Sequence, residues 1–379
     1  MSDECVSSNN KIGILYNIGF IRILFTSIIL IFHLVWQPNT LFANYPEIYN
    51  KLHLSSSFGY LGVEMFFIMA GFFLFYSIPK YNSVKEFFVH KWIRLWFVPV
   101  FAIFSIWILS LLGISTYNKY ANILHLLLLK NTGLTLCLAD NGTTWFISVL
   151  FWVSLFYFYI AKIFEKKYLN LIIALAIYYS LVVLVNSTQG HFEEHYEMVN
   201  SIFNVGMLRG IAEIGIGYFI GFWYEDAILN RCETNCKFKI FSIEFLIYSL
   251  AEIYLLIFIV QRLLFKAANY TNDLVLVIIF IAFYMLFLRK RGILSIVTNN
   301  RVIYNLSKYA FSIYVMQEVV YRILAKTLWL HSIRQEQAIV MLLISFIITV
   351  LVGIATYHII EYPALSLCKK FIKLGGRND

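Results

Sequence analysis

The sequence has little charge and little cysteine. Only 13% of its 379 residues are charged, whereas charged residues make up about a quarter of an ordinary globular domain. Hydrophobic residues make up 60% and the mean hydropathy is +0.75. A soluble core of this length could not bury so much apolar surface, so these values exclude a soluble globular protein and indicate a chain that lies in a bilayer.

Five cysteines are too few for a disulfide framework, and Cys232 and Cys236 have no companion ligands at zinc-site spacing. We therefore expect incidental thiols and no metal site. The N-terminal stretch MSDECVSSNNKIG lacks a charged start, a short apolar run and a cleavage site, so we expect no cleavable signal peptide. Repeats and low-complexity tracts are also missing, and we expect no appended soluble domain.

Runs of near 20 apolar residues predict membrane-spanning helices, because the strands of a membrane barrel are short and alternate in polarity. The segments that fit lie near residues 15–36, 58–78, 95–113, 144–163, 168–186, 207–225, 238–260, 271–289, 307–328 and 338–360. The shorter apolar stretch ANILHLLLLK (121–130) predicts an interfacial or re-entrant helix on the outer side.

Basic residues predict the orientation. With the N-terminus inside, twenty of the 30 Lys and Arg lie in cytoplasmic connections and tails, and seven lie on the opposite side. This asymmetry predicts that both termini are cytoplasmic. The net charge of +9 is then a topology signal that faces anionic lipid headgroups, and it does not require a nucleic acid partner.

The predicted fold class is therefore all-α, a polytopic membrane helical bundle of about ten transmembrane helices. We divide the chain into a cytoplasmic N-terminal tail (1–14), a membrane domain (15–365) and a basic cytoplasmic tail (366–379).

The first helix carries two polar residues in RILFTSIILIFH (22–33). Arg22 and His33 are eleven positions apart, which places them within about 20° on one helical face with a rise of about 16 Å. This geometry suits a long anionic ligand that enters from the cytoplasm and brings its reactive end to His33. Alternatively, Arg22 extends to the inner headgroups and His33 lies at the outer interface beside Trp36.

The second helix places Glu64 at a depth close to that of His33. A carboxylate–imidazole pair would fix the tautomer of the histidine and raise its basicity, as a general base requires. The alternative is a glutamate that is hydrated at the interface. Gly71 in the same helix would permit close helix packing.

Further charged and aromatic positions carry two interpretations each. Lys91 and Arg94 share one face of a helix start, where they could hold phosphates or simply set the topology. Arg209 and Glu213 are one turn apart and predict an ion pair near the outer side. Trp145 fits an interfacial belt or a substrate platform.

Taken in order, these pieces resemble the acyltransferase-3 family of integral membrane acyltransferases over residues 15–365. GVEMFFIMAGFF (62–73) is similar to that family's GV-x-x-FF-x-x-SGF, and Lys91 with Arg94 is similar to its R-x-x-R. The other matching stretches are the spacing of Arg22 and His33, TTWFI, the RG-x-x-E-x-x-x-G at 209–217, FSIYVMQ (311–317) and IIEYP.

The resemblance implies transfer of an acyl group, commonly acetyl from acetyl-CoA, to a hydroxyl of an extracytoplasmic glycan or its lipid-linked precursor. It makes His33 the base or transient acyl carrier. Catalytic candidates are His33 and Glu64; coenzyme A candidates are Arg22, Lys91 and Arg94; substrate candidates are Trp145, Arg209, Glu213 and Gln317. Three positions depart from the family pattern: Ala70 for Ser, Lys91 for Arg and Gln317 for His.

The expected location is the cytoplasmic (inner) membrane of a bacterium, and the expected partners are membrane lipids and, at the outer side, possible hand-over of acetyl to a separate enzyme. External residues such as His191 and His195 could bind sugar, although charged loops are usually solvated. The main alternative is a transporter or flippase of a lipid-linked glycan, which would use the same buried charges. A glycan polymerase or ligase would need a larger external loop.

Overall fold

A computed structural model describes residues 15–36, 58–115, 124–132, 142–193, 195–199, 202–230, 242–265, 272–327 and 335–367. Within these ranges the chain is helical and forms no strand; one isolated antiparallel bridge joins Met198 and Asn204. The predicted all-α fold class is therefore confirmed. The N-terminal tail, residues 368–379 and all five cysteines lie outside the described residues.

Twelve α-helices occur in the described part of the chain. They are α1 (Ile18–Trp36), α2 (Gly62–Ser77), α3 (Val84–Leu111), α4 (Trp145–Ile163), α5 (Lys166–Thr188), α6 (Val205–Tyr224), α7 (Ile243–Leu264), α8 (Asp273–Arg289), α9 (Ile293–Val297), α10 (Arg301–Ser307), α11 (Ala310–Lys326) and α12 (Gln335–Thr356). Short π-helical segments, Glu225–Asn230 and Tyr357–Glu361, extend α6 and α12.

Eight helices of the described part are long and apolar enough to cross a membrane: α1 to α7 and α12. The two other long helices, α8 and α11, have 17 residues each. Every one of the ten predicted apolar segments coincides with one of these long helices. The number of actual spans and the cytoplasmic position of the termini stay predictions.

The α3 helix begins earlier than its apolar segment predicts. Ser83 caps the helix by accepting a hydrogen bond from the backbone N–H of Glu86, and Glu86 accepts one from the backbone N–H of Asn82. This capping adds three turns to the apolar segment. Lys91 and Arg94 consequently lie inside the helix, on the N-terminal side of Pro99.

The closest helix pair in the bundle is α2 with α6, and glycine makes the approach possible. A Cβ atom on Gly71 would overlap the carbonyl oxygen of Ile214, and one on Gly217 would overlap the carbonyl oxygen of Ile68. The two backbones therefore lie against each other. The predicted packing role of Gly71 is confirmed, and this contact fixes the relative position of the polar residues on α2 and α6.

We expect Gly217→Ala to destabilise the protein by about 1–3 kcal/mol, because the added methyl group must push two packed backbones apart. The measurement is the midpoint of thermal unfolding in detergent. Gly142→Ala is the matched control, since a Cβ at Gly142 meets no atom within 4 Å. Equal midpoints for the two variants would contradict the close α2–α6 contact.

Candidate functional site

Arg209 lies at the centre of a buried polar cluster. Its side chain is 1% exposed and its guanidinium forms an ion pair with Glu64, which is fully buried. The Nη1 atom donates a hydrogen bond of 2.7 Å to the backbone carbonyl of Phe192, and the guanidinium carbon lies 5.1 Å from the ring centroid of Trp145. The cation is thus held by residues from α2, α4 and the segment that precedes α6.

The local sequence explains why these side chains meet. Glu64, Trp145 and Arg209 each lie in the first two turns of their helices. Asn204 caps α6 by accepting a hydrogen bond of 2.8 Å from the backbone N–H of Met207. Because the three helix starts lie at one end of the bundle, their polar residues face each other.

The predicted ion pair between Arg209 and Glu213 does not form, and Arg209 pairs with Glu64 of α2. The carboxyl group of Glu213 instead contacts that of Glu64, and its Oε2 atom has no hydrogen-bonding partner among the described residues. Glu213 therefore completes the cluster while Glu64 neutralises Arg209.

Both interpretations of Glu64 that the sequence offered are wrong. Glu64 is fully buried, so it is not a hydrated interfacial residue. Its carboxylate pairs with Arg209, and the predicted bond to His33 does not form. The sequence placed Glu64 at the correct end of the bundle, but the partner is decided by the glycine-mediated approach of α6.

Trp145 is part of the interior, and its interpretation as an interfacial belt residue is wrong. It is 6% exposed. The imidazole of His195 stacks on it with a centroid distance of 4.5 Å and an interplanar angle of 16°. With Arg209 also against the ring system, Trp145 joins a cation and an imidazole within one buried cluster.

His33 has the hydrogen bonding that a base needs. Its Nδ1 lies 2.9 Å from the backbone carbonyl of Ile29, an acceptor, so Nδ1 carries the proton and Nε2 keeps its lone pair. No described residue forms a hydrogen bond with Nε2. His33 lies within electrostatic range of His195, which places it at the same end of the bundle as Trp145 and Arg209.

Several residues of this end escaped the sequence argument. Asp273, at the first position of α8, accepts hydrogen bonds of 2.6 Å from the hydroxyl of Tyr60 and from the backbone N–H of Phe192. The carbonyl of Phe192 in turn accepts from Arg209. The sequence signal for Asp273 was a charged residue near the start of an apolar segment. This signal is weak, because charged residues are also common at solvated helix starts.

His125 and His195 are neutral residues at the outer rim of the cluster. Burial, with a smaller effect of the nearby Lys130, lowers the pKa of both imidazoles well below the usual value. The Nδ1 of His125 lies 2.8 Å from the hydroxyl of Thr144. The sequence left His195 open as a sugar-binding or a solvated loop residue, and the structure places it half-buried and stacked on Trp145.

Gln317 also reaches the interior. It is 1% exposed, and its amide nitrogen has no hydrogen-bonding partner among the described residues. Tyr314, one turn earlier on α11, donates a hydrogen bond of 2.8 Å to the carbonyl of Thr143 and interacts electrostatically with Arg209. Gln317 therefore brings an unused donor into the bundle on the helix that adjoins the cluster.

The opposite end of the bundle gathers the predicted phosphate-binding cations. Arg94 interacts electrostatically with Arg22, Lys91 and Glu361. The guanidinium of Arg22 lies 5.3 Å from the ring centroid of Phe73, and Arg94 is exposed. Three basic side chains and one acidic side chain therefore form this end, where Glu361 also accepts a hydrogen bond from Ser312.

The two ends are joined by α1, which is an uninterrupted helix of 19 residues. Arg22 belongs to the cationic end and His33 to the end that contains Arg209. The rise between them is about 16 Å, as the helix geometry predicts. The arrangement can bind a polyanion at one end and perform acid–base chemistry at the other.

A comparison with known families finds a model described as "Acyltransferase domain", of the acyltransferase-3 type, that matches residues 15–358. No curated protein and no solved structure matches the chain.

Glu64→Ala should destabilise the protein by about 3–5 kcal/mol, because it leaves the guanidinium of Arg209 buried and unpaired. The double substitution Glu64→Leu with Arg209→Met should recover most of that stability, since it removes both charges and keeps the volume. Thermal unfolding in detergent measures both effects. If the double variant is no more stable than the single one, the ion pair is not what the cluster depends on.

Stability should fall as the pH is lowered from about 7 to about 5. His125 and His195 stay neutral in the fold, whereas the unfolded chain protonates them below about pH 6.5, so the unfolded state binds more protons in this window. Their contribution is complete above about pH 6.5 and is lost as the pH falls towards the folded-state pKa.

The combined substitution of His125→Gln and His195→Phe should therefore flatten the pH dependence of the unfolding midpoint. His358→Gln, at an exposed position, should leave the dependence unchanged. The same slope in all three proteins would contradict the burial of the two neutral imidazoles.

Proposed function

The chain belongs to the acyltransferase-3 family, and on that premise we propose that it transfers an acetyl group from cytoplasmic acetyl-CoA to a hydroxyl of a cell-surface glycan or of its lipid-linked precursor. The proposal rests on one observation: α1 carries Arg22 among basic residues near one end and His33 near the other. The basic residues around Arg22 suit the phosphates of a nucleotide. The Nε2 of His33, which has no hydrogen-bonding partner among the described residues, suits a group transfer.

The donor would bind at the cationic end. Coenzyme A carries several phosphates, and Arg22 and Lys91 each lie within electrostatic range of Arg94, so that three basic side chains are available to bind them. Arg residues can bind phosphate through two parallel N–H donors, while Lys91 acts as a point charge. The extended pantetheine arm then runs along the bundle beside α1 and brings the thioester towards His33.

The reaction breaks the C–S bond of the thioester and forms a C–O bond to the acceptor. As a base, His33 removes the proton of the acceptor hydroxyl through Nε2 and returns it to the departing thiolate, so that coenzyme A leaves as the thiol. As an acyl carrier, Nε2 first forms a C–N bond to the acetyl carbon and the C–S bond breaks, so that coenzyme A leaves as the thiolate. The hydroxyl oxygen then takes the acetyl group, the C–N bond breaks, and the hydroxyl proton ends on the thiolate. The hydrogen bond from Nδ1 to Ile29 serves both routes, because it keeps Nε2 unprotonated.

The acceptor would bind at the end that contains Arg209. Gln317 and Glu213 offer hydrogen-bonding atoms without partners among the described residues. Trp145 supports this surface, because His195 and Arg209 both lie against its ring. Glu64 then acts as a positioning residue, since it fixes the guanidinium of Arg209. The neutral His195, which the sequence argument left among the loop residues, extends this surface.

The proposed setting is the cytoplasmic membrane of a bacterium, with the cationic end inside. The basic residues predict this orientation. The acetyl group would either be passed directly to the glycan or be handed to a separate enzyme at the outer side. A flippase, the alternative from the sequence, would leave acetyl-CoA unchanged, so labelled acetyl-CoA separates the two functions.

We expect His33→Ala to reduce acetyl transfer at least a hundredfold, because the base or carrier is removed. The measurement is incorporation of label from [14C]acetyl-CoA into glycan by membranes that contain equal amounts of each protein. His358→Ala is the matched control, since His358 is an exposed histidine in the π-helical segment that extends α12. Normal incorporation by correctly inserted His33→Ala protein would refute the role of His33.

Arg94→Gln and Lys91→Gln should each raise the KM for acetyl-CoA about tenfold and leave kcat nearly unchanged, because they remove binding to the phosphates and not to the reacting atoms. Lys85→Gln is the control, as an exposed cation on the same helix. A lower kcat with an unchanged KM would place these cations elsewhere in the mechanism.

A further inference from the structure

A second site is formed by a groove on the side of the bundle. The groove has a volume of about 520 Å³ and lies between α7, α8 and the end of α6. Its floor is apolar and includes Ala251, Ala282 and Leu286. The two alanines keep it open, because larger residues at these positions would fill the space between the helices.

The groove has one polar end. Arg289, the last residue of α8, lies there with its guanidinium 5.3 Å from the ring centroid of Trp223 and donates a hydrogen bond of 2.8 Å to the hydroxyl of Tyr248. No described carboxylate pairs with Arg289. The guanidinium has five N–H donors, so most of them stay available after the bond to Tyr248.

The residues around the groove indicate that it faces lipid near the cytoplasmic surface. The α7 helix carries lipid-type residues on its exposed side, among them Ile247 and Leu250, each 60% exposed. Arg289 begins the run Arg289–Arg291, which the distribution of basic residues places at the cytoplasmic surface. The neighbouring Arg291 is already paired with Glu244, which leaves Arg289 as the cation that faces the groove.

We propose that this groove binds one anionic phospholipid of the inner leaflet, with an acyl chain along Ala251 and Ala282 and the phosphate on Arg289. The apolar floor matches the chain, and the guanidinium of Arg289, which pairs with no carboxylate of the described residues, matches the negative headgroup. Trp223 and Tyr248 lie at the depth of the headgroups, where amphipathic aromatic rings are common in membrane proteins. The site uses none of the residues assigned to acetyl transfer, so lipid binding and acetyl transfer can be tested independently.

The test is native mass spectrometry of the delipidated full-length protein with phosphatidylglycerol or phosphatidylcholine added. We expect one phosphatidylglycerol to bind about tenfold more tightly than phosphatidylcholine, as one charge-assisted contact provides. Arg289→Gln should abolish this preference, and Ala282→Trp should weaken binding of both lipids by filling the groove.

Matched variants control for charge and for size. Arg301→Gln removes an exposed cation elsewhere on the same side, and Leu250→Trp adds bulk to the exposed face outside the groove; both should bind as the wild type does. Tyr248→Phe removes the hydrogen bond to Arg289 but keeps the charge, so it should retain the preference for phosphatidylglycerol.

Two outcomes would overturn the proposal. If Arg289→Gln or, where that variant fails to fold, Ala282→Trp binds phosphatidylglycerol as the wild type does, the lipid lies around the bundle without a specific site. If glycerol 3-phosphate alone competes as well as the lipid, the end of the groove binds a free phosphate and the acyl chain contributes nothing.

Discussion

The burial of Arg209 constrains most of the fold around the candidate site. A guanidinium that has left water needs a counter-charge, hydrogen-bond acceptors and a defined position. Glu64 supplies the charge, Phe192 the acceptor and Trp145 the ring against which the cation lies. This requirement fixes α2, α4 and α6 relative to one another. The glycine contact between α2 and α6 makes it possible, because only backbones in contact bring Glu64 within reach of Arg209.

The same constraint separates two tasks that a membrane acyltransferase must combine. A charged donor has to be bound where water and phosphate-binding cations are available, and the transfer has to occur where water is scarce. Arg22, Lys91 and Arg94 form the first environment, and His33, His195 and Trp145 belong to the second. One helix, α1, spans the distance between them. The proposed route of the acetyl group therefore follows the length of this helix.

Sequence reasoning reached the helices, the two ends and the family, because apolar length and the spacing of Arg22 and His33 are local properties. It failed where partners come from separate helices. For Glu64 the sequence offered a pair with His33 or hydration at the interface, because depth does not say which neighbouring helix a side chain faces. For Trp145 it offered an interfacial belt or a substrate platform, although the preceding Thr143 and Thr144 are themselves buried. His195 and Asp273 lie in or beside connections, where sequence patterns carry little information on burial.

The most direct test of the account follows the acetyl group across the membrane. Sealed inside-out vesicles from producing cells enclose the glycan in the lumen, and acetyl-CoA labelled in the acetyl group and, separately, in the adenine is supplied outside. The account predicts that acetyl label appears on glycan in the lumen while adenine label stays outside, since it proposes that Arg22, Lys91 and Arg94 bind coenzyme A at the outer surface of such vesicles. Adenine label in the lumen, or acetyl label confined to the side of supply, would contradict it.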